Sequence, residues 1–98
     1  MLEKQIEAYL VARIKSLGGL ALKFTSPGRR NVPDRIVLMP VGRVTFVELK
    51  APGKKPTAGQ EREHVRLWNL GFAVLVIDSI AGVDAAFPMT SLDVRPRL

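Results

Sequence analysis

Two β-branched runs, Asp34 to Met39 and Arg43 to Leu49, are separated by only Pro40-Val41-Gly42. So short a connection, ending in glycine, leaves little room for anything but an antiparallel hairpin. Pairing Met39 with Arg43 across the turn carries the ladder back until Asp34 stands opposite Glu48, unless a bulge shifts the register. Side chains alternate along a strand, so Glu48 and Lys50, two apart, project from one face. The hairpin thus predicts two facing carboxylates with an ammonium beside them.

The elements around the hairpin follow from periodicity and stop signals. Leu2, Ile6, Tyr9, Leu10, Arg13, Ile14 and Leu17 recur at spacings of three and four, which predicts an amphipathic helix halted by Gly18-Gly19. Residues 20–25 form a short apolar strand, and Ser26 to Pro33 a turn-rich basic loop. Residues 51–58, with two prolines, a glycine and two lysines, make a second basic loop. Thr57 caps the helix after it, which carries Gln60, Glu61, His64, Leu67, Trp68 and Leu70 and stops at Gly71. Phe72 to Ile77 is the most hydrophobic strand and is expected at the centre of the sheet, buried on both faces. Asp78 or Ser79 then caps a short helix to about Phe87.

This order is α/β, an αβββαβ core in which a mixed central sheet is flanked by helices, with a right-handed crossover between residues 44 and 77. One domain over residues 1–88 is expected, with 89–98 as a C-terminal tail. The chain has 98 residues, of which 47% are hydrophobic, enough for one core and not two.

Composition narrows the chemistry. With no cysteine there can be neither a disulfide framework nor a thiolate zinc site, and the single histidine, His64, cannot build a His-rich one. Any metal must rely mainly on oxygen ligands. Lys and Arg number 15 against 9 acids, a net charge of +6 with pI near 10.3, which is the footprint of a polyanion binder. Arg29, Arg30, Arg35, Lys50, Lys54 and Lys55 concentrate that charge beside the carboxylates. No apolar run approaches a membrane span and the N-terminus reads as a helix start, so no membrane contact and a cytoplasmic location are expected.

Asp34 and Glu48 together suit a hard divalent cation, with the backbone carbonyl of Leu49 as a further oxygen. Such a cation activates water and polarises a phosphate, and Lys50 can steady the charge that develops there. The implied reaction is phosphodiester hydrolysis. Bland readings exist for each fragment: Pro-Asp is a common turn dipeptide, and Glu-x-Lys is ordinary on an exposed strand. Against them, an acid closing the apolar run Val44 to Leu49 is costly to bury without a partner. Ser26, Arg29, Arg30, Arg35, Lys54 and Lys55 are candidates to contact DNA phosphates; Ser26 and Gly28 would shape their loop rather than react. His64 and Trp68 read as packing or interface residues, and Glu61 and Glu63 as decoration of their helix.

The segment from Ser26 through Pro-Gly-Arg-Arg-Asn-Val-Pro-Asp to Arg35-Ile36, then Phe46-Val-Glu-Leu-Lys-Ala-Pro-Gly53, then Gln60, resembles the virus-type replication-repair nuclease domain, VRR-NUC, of the PD-(D/E)xK superfamily. The resemblance spans roughly residues 3 to 78. It implies a restriction-endonuclease-like core, Mg²⁺ or Mn²⁺ on Asp34 and Glu48, Lys50 completing the triad, and Gln60 near the attacking water or the phosphate. It also implies a first-helix glutamate, Glu3 or Glu7, of which Glu3 begins the Glu-x-x-Ile pattern. Stand-alone members resemble Holliday junction resolvases, which implies a homodimeric endonuclease for branched DNA in a bacterial or phage-infected cell. A flap or restriction-like nuclease, or a basic DNA-binding module without hydrolysis, would fit the same residues.

Overall fold

The computed structural model describes residues 1–89 and places seven elements in chain order: α1 (Glu3–Ser16), β1 (Leu20–Lys23), β2 (Arg35–Met39), β3 (Arg43–Leu49), α2 (Ala58–Asn69), β4 (Ala73–Ile77) and α3 (Ile80–Ala86). The expected tail, 89–98, lies outside the described residues apart from Met89. The sheet order is β1-β2-β3-β4, antiparallel between the first three strands and parallel between β3 and β4, so the sheet is mixed as expected. The hairpin keeps the expected register, with Met39 opposite Arg43 and Arg35 opposite Val47. Its turn needs positive φ at Val41 (69°) and Gly42 (72°), a strain that only the glycine accepts freely.

Alternation along β3 divides the core. Val47 and Leu49 pack with Ile6, Leu10 and Ile14 of α1, Val37 and Met39 of β2, Ile77 of β4 and Val83 of α3. Phe46, on the other face, packs with Leu67 of α2 and Val74 of β4, and its ring meets Phe24 and Phe72 at 5.6 Å each. Glu48 shares the parity of Phe46, so it emerges under α2. Gly19 makes the α1–β1 passage possible: a Cβ there would sit 2.5 Å from the Leu38 carbonyl oxygen.

The expectation of a central final strand is corrected. β3 is the interior strand, and β4 pairs only with it among the described residues. Val74 and Ile77 are buried, one toward each layer, whereas Val76 is 44% exposed. An apolar run reports burial on the faces of a strand; it carries no information on which side edges are paired.

Local hydrogen bonds fix the helix ends. Thr57 Oγ1 accepts from the Gln60 backbone N–H at 3.1 Å, and the Gln60 side chain returns the bond by accepting from Thr57 N–H at 2.9 Å, closing a capping box. Ser79, rather than Asp78, caps α3 by accepting from Gly82 N–H. Asp78 instead accepts from Gly53 N–H at 3.1 Å and ties down the second basic loop. Arg13 joins α1 to α3 through Asp84 at 2.6 Å and the Phe87 carbonyl. No described helix is long and apolar enough to cross a membrane.

Candidate active site

Asp34 sits one residue before β2, Glu48 is the penultimate residue of β3, and Lys50 follows that strand's end. The ladder that pairs Arg35 with Val47 brings Asp34 alongside Glu48 and Leu49, and Asp34 Oδ2 accepts a 2.8 Å hydrogen bond from the Leu49 backbone N–H. That bond holds the Asp34 carboxylate at the strand end. Glu48 is 2% exposed beneath α2, where its Oε2 accepts from Gln60 Nε2 at 3.1 Å and lies 3.5 Å from Lys50 Nζ. Lys50 Nζ in turn donates to Gln60 Oε1 at 2.8 Å. One amide thus caps α2, holds the ammonium and holds the carboxylate.

The electrostatics are those of an incomplete site. Glu48 Oε1 is buried with no hydrogen-bond partner, and so is His64 Nε2, 3.9 Å away. Burial first, and then the negative charge of Asp34, push the Glu48 carboxyl up to about 7 against the opposing pull of Lys50. Burial holds His64 below the usual imidazole range, which keeps it neutral. A second anion beside a desolvated one is unfavourable unless a cation accompanies them. Asp34 and Glu48 could therefore hold a divalent metal, with the Leu49 carbonyl next in the chain. Among the described residues no three His, Cys, Asp or Glu side chains form a metal cage. Two carboxylates completed by water and phosphate oxygens is a normal set for Mg²⁺.

The other candidates fall into distinct places. Glu7 accepts from Arg35 Nε at 3.0 Å and lies 3.6 Å from Lys23 Nζ, while Glu3 is exposed on the first turn of α1 and forms no salt bridge among the described residues. Arg35 also donates to the Ala21 carbonyl, so its guanidinium joins α1 to the sheet. Lys54 and Lys55 are exposed on the loop after β3, Arg30 is exposed on the loop before β2, and Ser26 is half-buried at a turn where its carbonyl accepts from Arg29 N–H.

Glu63 is the residue that sequence reasoning misplaced. Instead of decorating α2 it is 6% exposed and takes two guanidinium groups, Arg29 from the loop and Arg66 from the next turn of the helix. Their hydrogen bonds pull its carboxyl down to about 2. The available signal was the helix pattern: Glu63 and His64 occupy the core-facing positions three and four after Gln60, where an ordinary amphipathic helix places apolar side chains. His64 is buried beside Glu48, and Trp68 is exposed apart from a bond from its Nε1 to the Val74 carbonyl.

No protein-family model matches the sequence. Over 77 residues the chain is 57% identical to the p44 protein of Acyrthosiphon pisum secondary endosymbiont phage 1, whose name carries a provisional nuclease assignment; the match spans 79% of this chain and 83% of that protein. The fold is also similar to a solved VRR-NUC domain, with a TM-score of 0.83 and 36% identity over 89% of this chain and 95% of the other.

Proposed function

The chain belongs to the VRR-NUC nuclease family, and from that premise we propose that it is a Mg²⁺- or Mn²⁺-dependent DNA endonuclease with its reaction centre at Asp34, Glu48, Lys50 and Gln60. The observation that carries this reading is the buried Glu48 oxygen without a partner, next to a second carboxylate whose charge it must otherwise repel. A hard divalent cation, when bound, supplies Lewis-acid polarisation of a phosphate and eases deprotonation of water. Asp34 and Glu48 would hold it, with the Leu49 carbonyl, next in the chain, as the further oxygen of the proposed set.

The remaining work falls to this chain's own groups. Lys50 presents its ammonium at the edge of the site, where it stabilises negative charge developing on the phosphate under attack. Gln60 bridges that ammonium and Glu48, because its carbonyl oxygen accepts from Lys50 while its amide nitrogen donates to the carboxylate. Holding both groups through one capped helix end removes the need to order them during reaction.

Selectivity for branched DNA, in the manner of a Holliday junction resolvase, is supported by the resemblance to stand-alone members of the family. Cutting two strands needs two sites, so the proposed unit is a homodimer. Exposed Val65, Trp68, Leu70, Phe72 and Val76 around the end of α2 and β4 offer apolar surface for it. The proposed compartment is the cytoplasm of a bacterial or phage-infected cell. The test is a cleavage assay with four-way junction, flap, duplex and single-stranded DNA in each metal, with mass measured by light scattering. Faster cutting of the junction by a dimer is expected; equal rates on all substrates by a monomer would remove the resolvase reading and leave the nuclease one.

A further inference from the structure

The loop before β2 and the outer side of α2 enclose a concavity of about 400 Å³ that is not lined by Asp34, Glu48, Lys50 or Gln60. Arg29, Arg30, Arg62 and Arg66 line it, and Glu63 is its single acid. Four guanidiniums against one carboxylate leave a strongly positive hollow in a small domain.

Its construction is specific. Glu63 engages both forks in bidentate fashion: Arg29 donates at 2.9 and 3.4 Å, Arg66 at 2.8 and 3.3 Å. Each guanidinium has five N–H groups and gives two to Glu63, so the rest remain for another acceptor. Both side chains stay about half exposed, at 50% and 43%, while the acid beneath them is buried. The hydrogen bonds of the two arginines, which pull its carboxyl down to about 2, keep that anchor charged near neutral pH. Neutralising one buried acid requires one cation, and here there are two. Arg30 and Arg62 form no salt bridge among the described residues. The loop lies close on α2 here, with the Asn31 side chain 2.7 Å from where a Cβ on Gly59 would stand.

The hollow is also placed for the reaction centre. Gly59 lines it, and the adjacent Gln60 touches Glu48 and Lys50, so the two sites meet at the start of α2. We propose that this pocket binds an internal phosphodiester of the DNA being cut, with Glu63 as the positioning residue that holds two of its arginines in place. The identity of the ligand rests on the nuclease reading; the anion-binding geometry does not. Fork-shaped donors on a rigid anchor suit a phosphate group and carry no base information, so the contact would set strand position without regard to sequence.

The experiment is DNA binding by fluorescence anisotropy in EDTA, with a covalently closed dumbbell duplex and a linear 5′-phosphorylated duplex, over a range of salt. Arg62→Ala should weaken binding several-fold to both DNAs and reduce the log–log salt slope by about one. Glu63→Gln removes a negative charge, so simple electrostatics would tighten binding; release of the Arg29 and Arg66 forks should instead weaken it. Unchanged affinity and slope in Arg62→Ala, tighter binding in Glu63→Gln, or a loss confined to the linear 5′-phosphorylated DNA would each overturn the proposal. Should Glu63→Gln fail to fold by circular dichroism, Arg62→Ala, at an exposed position, carries the test. Because no cleavage is read, a pocket that fails here leaves the nuclease reading standing, and a protein that binds as expected yet never cuts overturns only that reading.

Discussion

Glu48 Oε1 and His64 Nε2 lie 3.9 Å apart between β3 and α2, both buried and neither hydrogen-bonded among the described residues. An unsatisfied buried polar atom costs about 1–3 kcal/mol. Glu48 Oε2, Lys50 Nζ and Asp34 Oδ2 each have a partner in Gln60 or the Leu49 N–H, so the gap is local. It marks the place that the proposed cation would complete.

Stability of the metal-free protein should fall as pH rises. Glu48 has a folded value of about 7 against an ordinary value of 4.5, so the folded state binds the extra proton between these limits. Its contribution is complete below about 4.5 and is lost as pH climbs through 7, to a total of at most about 3 kcal/mol. Thermal melting in EDTA from pH 5 to 8 should show this decline, Glu48→Gln should flatten it, and Mn²⁺ should restore the wild type at pH 8. Because His64, lowered by burial, contributes with the opposite sign, the comparison decides: a wild-type profile no steeper than that of Glu48→Gln would contradict the buried-acid account.

Gln60→Ala should separate structure from chemistry. Loss of half the capping box costs about 1 kcal/mol or less, read by denaturant unfolding. Freed from Gln60, Lys50 and Glu48 lose their shared support, and the cleavage rate should drop by about 10²-fold. A drop in rate no larger than the stability change explains would reduce Gln60 to a cap.

Lys50→Ala should lower single-turnover cleavage by about 10²–10³-fold, as expected where a charge acts on the transition state. DNA affinity measured without metal should shift little, because one ammonium among 15 basic residues is removed. Equal losses in affinity and rate would make Lys50 a binding residue instead.

Gly19→Ala tests the packing that holds α1 against the sheet. The added methyl would meet the Leu38 carbonyl oxygen and the Met39 sulfur, at 2.5 and 2.8 Å. Overpacking of this kind costs about 1–3 kcal/mol, seen as a lowered denaturation midpoint with unchanged slope.

Much of the site was legible because it depends on local register. The three-residue turn sets the pairing of Arg35 with Val47, and the two-residue period then puts Glu48 and Lys50 on one face. The position of β4 was not legible, since Val74 and Ile77 bury opposite faces of an edge strand and give the same apolar run as an interior one. Glu63 was misjudged for a related reason. It looks like surface charge in sequence, and only the approach of Arg29 to α2 turns it into a buried partner. Long-range ion pairs of this kind leave no spacing to read.

The most direct test measures cleavage of a four-way junction by the wild type, Asp34→Ala and Glu48→Ala, each with Mg²⁺, with Mn²⁺ and in EDTA. Cutting by the wild type only when a metal is present is expected, with both variants slowed by about 10³-fold or more while DNA binding is retained. Cutting in EDTA, or near-normal rates in either variant, would contradict the assignment of these two carboxylates to a shared cation.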